Sequence, residues 1–189
     1  GNSGALVIGT TMIVKRIRGV KRLSFAPVMP KRKGFFLLID GGANVDCRAE
    51  MLQQFGVMGS IYMEKVMGIE PPRVGLTTVG LNFIGNIEAR DIPEDAADVV
   101  VADGFTGNVI LKLYEGVALT MMSMIKSIFT KNLLTKLAAA IVMPEMRGLK
   151  KQLDYNEYGG APIMGAAKPV FKVHGSAKAT TVKNAIRLT

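Results

Sequence analysis

One sequence pattern constrains the fold more than any other: a β-branched apolar run that stops at an aspartate before a glycine-containing turn and a helix. It is clearest at residues 99–103, which precede Gly104-Phe105-Thr106-Gly107-Asn108 and a helical pattern from near Val109. A continuous apolar run is typical of a strand buried on both faces of a parallel sheet, and ligands of such sheets bind beyond the carboxyl ends of the strands. The Gly-Phe-Thr-Gly turn would present backbone N–H groups to an anion, unless Thr106 simply caps the helix.

The same order of residues occurs earlier in the chain. Residues 35–40 form an apolar run that ends in an aspartate, and the turn Gly41-Gly42-Ala43-Asn44-Val45-Asp46 follows it. Residues 50–67 then carry apolar side chains at helical spacing. The sequence therefore predicts a second strand–turn–helix joint, with Asp40, Asn44 and Asp46 at the same sheet edge as Asp103. The single cysteine, Cys47, is interpreted as a packed thiol.

A third joint is predicted near the end of the chain. Residues 169–173 form a short strand before His174, the only histidine, and a final helix begins at about residue 177. A lone histidine is more often a packed or capping residue than a catalyst. This one, however, stands where the two aspartates stand, so both interpretations are kept. Asn86, at the end of a predicted strand over 81–85, would reach the same cleft.

The N-terminal stretch offers another turn of this kind. Asn2 and Ser3 precede an apolar stretch over 5–18 that becomes basic towards its end, and either residue is a good N-cap. The stretch is interpreted either as an ordinary capped helix or as a second anion-binding turn that includes Gly4. Because the chain opens directly on this motif, we expect that an N-terminal portion is missing.

Two predicted strands stand unusually close together. Residues 73–76 and 81–85 each predict a strand, with only Thr77-Thr78-Val79-Gly80 between them. A parallel crossover needs a dozen or more residues, so the strands either form a tight hairpin or lack a connecting segment near 78–81. The other joints are predicted to be parallel, which favours a missing segment. Residues 1–189 are otherwise expected to form one α/β domain, a three-layer, parallel-type sheet with helices on both faces.

Residues 117–153 form a long amphipathic helical region. Six lysines and arginines stand between residues 126 and 151 against a single acid, Glu145, and Pro144 is expected to close the second helix. An apolar face beside clustered lysines is typical of contact with an anionic membrane or a partner protein, and the alternative is a buried helical hairpin or a dimer interface. The predicted contact residues are Met121, Met124, Ile125, Ile128, Leu133, Leu134, Lys126, Lys131 and Lys136. No run of 18 apolar residues that could cross a bilayer is predicted.

Composition limits the function classes. The formal net charge of +9 favours acidic proteins, anionic membranes or phosphate-bearing ligands as partners. Zinc-ligand spacing and nucleic-acid-binding motifs are not found, so nucleic acid is the least supported partner, and no metal or cofactor is predicted. One cysteine allows no internal disulfide, which fits a reducing compartment.

The predicted cleft is rich in N–H donors and poor in nucleophiles. The sequence shows no Ser-His-Asp arrangement, no Walker loop and no Gly-x-Gly-x-x-Gly fingerprint. Such a cleft suits a reaction in which a bound anion is the nucleophile, with the protein positioning it and stabilising the developing oxyanion. Lys112, one helical turn beyond Asn108, would face the same way, although a solvated lysine is the commoner outcome.

These motifs, in this order and over essentially the whole chain, resemble the bacterial phosphate acyltransferases of the PlsX family. The matching stretches are Gly1-Asn2-Ser3-Gly4-Ala5, Asp40-Gly41-Gly42-Ala43-Asn44-Val45-Asp46, Asn82-Phe83-Ile84-Gly85-Asn86-Ile87-Glu88-Ala89-Arg90-Asp91, Asp103-Gly104-Phe105-Thr106-Gly107-Asn108, Tyr158-Gly159-Gly160-Ala161 and His174-Gly175-Ser176.

The resemblance implies transfer of a long acyl chain from acyl carrier protein to inorganic phosphate, giving an acyl phosphate for phospholipid synthesis. It implies an α/β fold like that of isopropylmalate dehydrogenase and phosphotransacetylase, and a homodimer. It also implies a cytoplasmic protein attached peripherally to the inner face of the cell membrane, near the downstream glycerol-phosphate acyltransferase. The acidity of acyl carrier protein suits the net charge of +9.

The resemblance also implies roles for particular residues. Asn108 would orient phosphate or the thioester carbonyl, and His174 would donate to the oxyanion or assist proton transfer. The residues implied in phosphate or substrate binding are Asn2, Ser3, Gly4, Asp40, Asn44, Asp46, Asn86, Asp103, Gly104, Thr106, Gly107 and Lys112.

The sequence departs from the family in two ways. Members carry a further N-terminal portion, and they follow the strand at 73–76 with a Gly-Thr-Glu segment, a Lys-Gly pair and a helix that this sequence lacks. The lysine of that pair is thought to be catalytic, so a true omission would leave binding without turnover, whereas a mobile segment outside this sequence, the favoured interpretation, would leave activity intact. Two other classes stay open: a dehydrogenase on the same fold and a non-catalytic membrane-bound scaffold.

Overall fold

A computed structural model describes residues 3–75, 82–153, 160–175 and 177–188, with side chains up to residue 149 in the second range. Its central element is a four-stranded sheet in the order β2–β3–β5–β4. The strands are Val28–Pro30 (β2), Phe35–Ile39 (β3), Val74–Gly75 (β4) and Val99–Val101 (β5). Strands β3, β5 and β4 run parallel, as their apolar sequences predict, with Val99 opposite both Leu37 and Val74.

The sheet is mixed rather than wholly parallel, which corrects one expectation. Strand β2 pairs antiparallel with β3, with Met29 opposite Phe36. Only residues 31–34 connect the two strands, and so short a connection can join antiparallel neighbours but cannot make a parallel crossover.

A second, three-stranded sheet is antiparallel throughout. It has the order β1–β6–β7 and is formed by Ser24–Phe25 (β1), Ala161–Met164 (β6) and Phe171–Lys172 (β7). The strand predicted over 169–173 is therefore shorter than expected, and its partner β6 was not predicted. The prediction of a third parallel joint, before His174, is wrong. Strands β6 and β7 are antiparallel, because the connection between them is too short for a parallel crossover.

The core lies on both faces of the central sheet. Phe36 and Leu38 point into a cluster with Leu111 of a helix over Gly104–Phe129 (α3), whereas Leu37 and Ile39 point into a second cluster with Phe55. Phe55 belongs to the helix Ala49–Lys65 (α2), which the sequence predicts almost residue for residue. Because successive side chains of a strand face opposite sides, one β3 strand anchors both helices. The predicted three layers are confirmed.

The N-terminal helix is shorter than predicted. The helix Ser3–Gly9 (α1) continues as a π-helical segment over Thr10–Val14 and stops there. Lys15 has a φ of 69°, and Arg16 forms a β-bridge with Ala166. The basic residues after Val14 therefore lie outside the helix instead of ending it.

Residues 82–85 form no strand, which corrects the prediction for 81–85, but Phe83 pairs in parallel with β4. Val74 forms a parallel bridge with Phe83, its N–H donates to the carbonyl of Asn82 (2.9 Å), and the N–H of Ile84 donates to its carbonyl (3.1 Å). A tight hairpin joins only antiparallel strands, so that alternative is wrong. Residues 76–81 lie outside the described residues, and a missing segment there stays a prediction.

Two long helices follow β5. Helix α3 and the helix Leu133–Leu153 (α4) contact each other, and a last helix spans Ala179–Arg187 (α5), close to its predicted start. Pro144 lies inside α4 and does not close it. Proline removes a hydrogen bond to the carbonyl four residues earlier, and Ala140 at that position lies on an exposed part of the helix.

The N-terminal part of α3 packs on the sheet, whereas its remainder is exposed. Leu111 is buried and the hydroxyl of Tyr114 donates to the carbonyl of Pro30 (2.6 Å). By length and composition alone, α3 could cross a membrane, since an 18-residue window has a mean hydropathy of 1.2 and only 6% of that window is buried. The sequence prediction concerned uninterrupted runs of 18 apolar residues, and scattered polar residues interrupt the apolar residues of α3. Contact of this helix with a membrane stays a prediction.

Candidate active site

Asp40 organises the turn that follows β3. Its side chain is fully buried, and five N–H groups donate to it. Oδ1 accepts from the backbone N–H groups of Phe25 (3.0 Å), Gly42 (3.1 Å) and Ala43 (2.9 Å). Oδ2 accepts from the backbone N–H (2.8 Å) and the side-chain amide (2.7 Å) of Asn44. The carboxylate therefore determines the conformation of residues 40–44.

This geometry favours a structural role for Asp40 and Asn44 over the predicted binding of phosphate. Both Asp40 oxygens already accept several hydrogen bonds, and a buried negative charge repels an anion. The Asn44 amide donates to the carbonyl of Leu23 (2.7 Å) as well as to Asp40, so both of its hydrogens are used. Sequence analysis located these side chains correctly at the end of a strand, but their contacts assign them a structural role.

Asp103 plays the corresponding part at the start of α3. It is the N-cap, its Oδ1 accepts from the N–H of Thr106 (2.7 Å), and its Oδ2 accepts from the Thr106 hydroxyl (3.0 Å). Its carbonyl accepts from the N–H of Gly107 (2.8 Å), and the N–H of Gly104 donates to the carbonyl of Asn44 (2.6 Å). The helix thus begins at Gly104 rather than near Val109, because Asp103 rather than Thr106 caps it.

These bonds also change the expected role of the Gly-Phe-Thr-Gly turn. Three of its N–H groups, those of Gly104, Thr106 and Gly107, already donate to protein oxygens. The turn is therefore the first turn of a helix, and these bonds argue against the predicted phosphate binding by those backbone groups and by Asp103. The Thr106 side chain remains exposed.

Helix α3 and the Asp40 turn meet backbone to backbone. A Cβ atom placed on Gly107 would lie 1.9 Å from the carbonyl oxygen of Asp40, and one on Gly104 would lie 2.4 Å from that of Asn44. Any larger residue would separate the two elements, so glycine is required at both positions. The two joints that the sequence predicts on one sheet edge are therefore in direct contact.

Asn108 stands at this junction with an exposed side chain. A Cβ atom placed on Gly42 would lie 3.3 Å from both Cβ and Oδ1 of Asn108, so the amide lies against the Asp40 turn. Gly42 has a φ of 125°, a conformation that other residues rarely adopt. The turn therefore leaves room for the Asn108 amide at the carboxyl edge of the sheet, where ligands of such folds bind.

Ser3 and Lys172 contact each other beside the Phe25 ring. The Lys172 amine in β7 donates to the hydroxyl of Ser3 at the start of α1 and lies 4.4 Å from the centroid of the Phe25 ring. Lys112 of α3 pairs with Glu115 (2.8 Å) and is mostly exposed. Burial lowers the pKa of Lys172, and the nearby charge of Lys112 lowers it further, against the opposing effect of Glu115.

Sequence analysis missed Lys172. Its position, two residues before His174 in a predicted strand, was the available signal, but its partner Ser3 is 169 residues away in the chain. His174 is exposed after β7, and its carbonyl accepts from the N–H of Ala177 (3.0 Å). Its catalytic role stays a prediction.

Four other predicted site residues are Asn2, Gly4, Asp46 and Asn86. Gly4 lies in the first turn of α1, and Asp46 and Asn86 are exposed. Within the described ranges, the hydrogen bonds of the Asp40 turn involve neither Asp46 nor Asn86. Asn2 lies outside the described residues. The roles of these four residues stay predictions.

Cys47 lies beside the same turn as a packed thiol. Its sulfur is 3.8 Å from the carbonyl oxygen of Asn44. Burial, followed by the nearby charge of Asp40, raises the pKa of this thiol to about 11. The thiol is therefore protonated at neutral pH, which agrees with the interpretation from sequence. In the described part of the chain, no three His, Cys, Asp or Glu side chains lie close enough together to hold a metal ion.

One protein family matches the whole sequence in two stretches. The family described as "Fatty acid synthesis protein" matches residues 1–81 and 76–189. The two stretches overlap at 76–81, the connection where a missing segment is predicted.

Curated relatives named phosphate acyltransferase are similar over nearly all of the chain. Those from Caldanaerobacter subterraneus, Alkaliphilus oremlandii and a Geobacillus strain are 44%, 45% and 47% identical over 99%, 98% and 99% of this chain. The chain spans 62–64% of the length of these relatives. The alignments extend over 207–209 residues, more than the 189 of this chain, and therefore contain gaps in it.

Two solved phosphotransacetylases share the fold. The structure from Streptococcus pyogenes has a TM-score of 0.58 at 17% identity and matches 98% of this chain and 58% of that chain. The EutD phosphotransacetylase from Staphylococcus aureus has a TM-score of 0.55 at 16% identity and matches 97% and 58%. At these identities the likeness concerns the fold alone, and it confirms an α/β fold with helices on both sides of the sheet.

Proposed function

Because this chain belongs to the fatty acid synthesis protein family, we propose that it transfers a long-chain acyl group to inorganic phosphate and forms an acyl phosphate for phospholipid synthesis. The observation that carries the proposal is the 44–47% identity to proteins named phosphate acyltransferase over nearly the whole chain. The acyl donor in this proposal is acyl carrier protein, an acidic protein whose charge complements the net charge of +9.

The proposed reaction needs few protein groups. An oxygen of hydrogen phosphate attacks the thioester carbonyl carbon, the new C–O bond forms, the C–S bond breaks, and the phosphate proton passes to the departing thiolate. Phosphate supplies the nucleophile, so the protein positions it and stabilises the oxyanion. The exposed Asn108 amide at the junction with Gly42 is suited to orient phosphate or the thioester carbonyl, and His174 assists at the oxyanion or the leaving thiolate.

The structural residues of the site support this role indirectly. Asp40 and Asp103 hold the two turns, and the glycines between them bring those turns into contact. Asn108 is therefore attached to two turns that are held by hydrogen bonds, and groups oriented in this way contribute to rate enhancement. Ser3, Gly4, Thr106 and Lys112 complete the proposed phosphate-binding set, together with Asn2, Asp46 and Asn86.

The proposed activity is tested with purified protein, a long-chain acyl thioester of acyl carrier protein, and phosphate. Phosphate-dependent loss of thioester, with acyl phosphate trapped by hydroxylamine, is the expected result. Asn108→Ala should lower kcat by about 100-fold, the usual effect of removing one oriented donor, and leave the melting temperature unchanged. Ser123→Ala, an exposed polar position on the same helix, is the matched control. Normal turnover of Asn108→Ala would remove this residue from the site. Absence of any acyl phosphate would contradict the proposed reaction.

We propose further that α3 and α4 attach the protein peripherally to the cytoplasmic face of an anionic membrane, where it supplies the downstream glycerol-phosphate acyltransferase. The support is an apolar surface beside lysines. Ile128 is 62% exposed, Leu134 77% and Ile141 82%. Lys126 and Lys136 are exposed in the same helices, and Lys131 is exposed in the connection between them. Helices that carry large apolar side chains next to basic ones bind the boundary of anionic bilayers. A homodimer would cover part of this surface as well.

Vesicle binding tests the membrane proposal. The protein should sediment with phosphatidylglycerol vesicles and much less with phosphatidylcholine vesicles. The double variant Ile128→Asp with Leu134→Asp should lose binding, whereas Ile61→Asp, an apolar residue of α2 that is 55% exposed, should not. If the protein is a dimer in solution and binds neither vesicle type, the apolar surface of α3 and α4 is assigned to self-association instead. Vesicle binding without acyl phosphate formation would favour a scaffold.

A further inference from the structure

Lys172 lies in an unusual environment for a lysine. It belongs to β7, is half-buried, and has its amine over the face of the Phe25 ring, 4.4 Å from the centroid. Its hydrogen-bond acceptor is the hydroxyl of Ser3, a neutral group. Among the described side chains, no carboxylate lies within 4 Å of the amine, since the nearby Glu115 pairs with Lys112 instead.

The charge of Lys172 is therefore poorly compensated by the protein. Partial burial disfavours a cation, and Lys112 adds a second positive charge nearby. A hydroxyl and a ring face stabilise an ammonium group only modestly, whereas an anion would compensate the charge of Lys172 directly. The arrangement is the one expected of a site whose counter-charge is a ligand.

Lys172 is also connected to the candidate active site by direct contacts. The ring of Phe25 lies against the Asp40 turn, because a Cβ atom placed on Gly41 would be 3.2 Å from its Cδ1. The Phe25 N–H donates to Asp40 (3.0 Å), and the next residue of that turn, Gly42, adjoins Asn108. One aromatic ring thus separates the Lys172 amine from the turn that positions the Asn108 amide.

We propose that Lys172 and Ser3 bind the oxygens of the phosphate substrate. Lys172 supplies the charge, and Ser3 both orients the amine and donates its hydroxyl hydrogen to the anion. This inference rests on the proposed phosphate acyltransfer and assigns its phosphate position. The ligand class is a tetrahedral phosphate, free or as the head of an acyl phosphate, and both carry the same oxygens.

Steady-state kinetics and direct binding test the proposal together. Lys172→Gln should raise the KM for phosphate at least 10-fold, equivalent to about 1.4 kcal/mol, and leave the KM for the acyl donor unchanged. Ser3→Ala should raise the phosphate KM less, and Lys172→Arg should recover part of the loss because it retains the charge. Lys168→Gln, an exposed lysine between β6 and β7, is the control and should match the wild type. Melting temperatures identify any variant that fails to fold.

Calorimetric titration with inorganic phosphate alone separates this proposal from the proposed function. Phosphate that binds the wild type but not Lys172→Gln supports the site even if no turnover occurs with any acyl donor. Turnover by the wild type combined with an unchanged phosphate KM in a folded Lys172→Gln variant overturns the site and leaves the function standing. An equal loss of affinity for the acyl donor would overturn the assignment to phosphate.

Discussion

Replacement of Asp40 by asparagine should destabilise the protein more than any other isosteric change in the turn. The amide nitrogen cannot accept a hydrogen bond, so it will occupy the oxygen position where it opposes fewer donors. At Oδ2 it opposes two donors, both from Asn44, whereas at Oδ1 it would oppose three. Two charge-assisted hydrogen bonds are thus lost at a fully buried position.

Hydrogen bonds to charged groups contribute about 1.5–3 kcal/mol each, so Asp40→Asn should lose about 3–6 kcal/mol of unfolding free energy. With a urea dependence of about 2 kcal/mol per molar, the unfolding midpoint should fall by roughly 1.5–3 M. Urea titration followed by circular dichroism measures this midpoint. Asp46→Asn, the same change at an exposed aspartate of the same turn, should alter stability by less than about 0.5 kcal/mol.

The result also decides between two roles for Asp40. If the urea midpoint of Asp40→Asn equals that of Asp46→Asn while the KM for phosphate rises, the Asp40 carboxylate is a ligand group and the structural reasoning is refuted. If the midpoint falls as calculated, the turn depends on the carboxylate as the hydrogen bonds indicate.

Two further predictions concern other parts of the frame. Burial raises the pKa of Asp98, but hydrogen bonds from Arg73 and Lys31 lower it more, to about 2. Its stabilisation is therefore present above the unfolded-state pKa near 4 and lost as the pH falls towards 2. Asp98→Asn should accordingly cost about 2 kcal/mol in urea unfolding at pH 7, and a difference that persists at pH 2 would contradict this. Gly107→Ala should lower the free energy of unfolding by about 3 kcal/mol because its Cβ would overlap the Asp40 carbonyl. Gly116→Ala, in the open middle of the same helix, should raise it by about 0.5–1 kcal/mol. Equal shifts of the melting temperature in the two variants would contradict the close approach at Gly107.

The sequence predicts the elements of this fold better than the directions of their side chains. The apolar runs of β3 and β5 and the helical spacing of α2 are local signals, and the structure follows them. A strand as short as β6, with Pro162 inside it, carries almost no local signal and forms because it pairs with β1 and β7.

The candidate site shows the same limit. Asp40 and Asp103 stand at the strand ends where sequence analysis placed them, but one is buried against five donors and the other caps a helix. Phe25, which supplies a donor to Asp40, is 15 residues away in the chain, so no local pattern contains this contact. Lys172 went unrecognised for the same reason, because its environment is made by Ser3 and Phe25.

Helix α3 has a geometric consequence of its own. Its 26 residues form a rod of about 39 Å, at 1.5 Å per residue, without an intervening proline. One end is locked to the Asp40 turn and carries Asn108 on its second turn, while the other end belongs to the exposed apolar surface. No loop or hinge separates the two ends. The Asn108 amide and Ile128 of the exposed apolar surface therefore lie on one continuous helix, roughly 30 Å apart along its axis at 1.5 Å per residue.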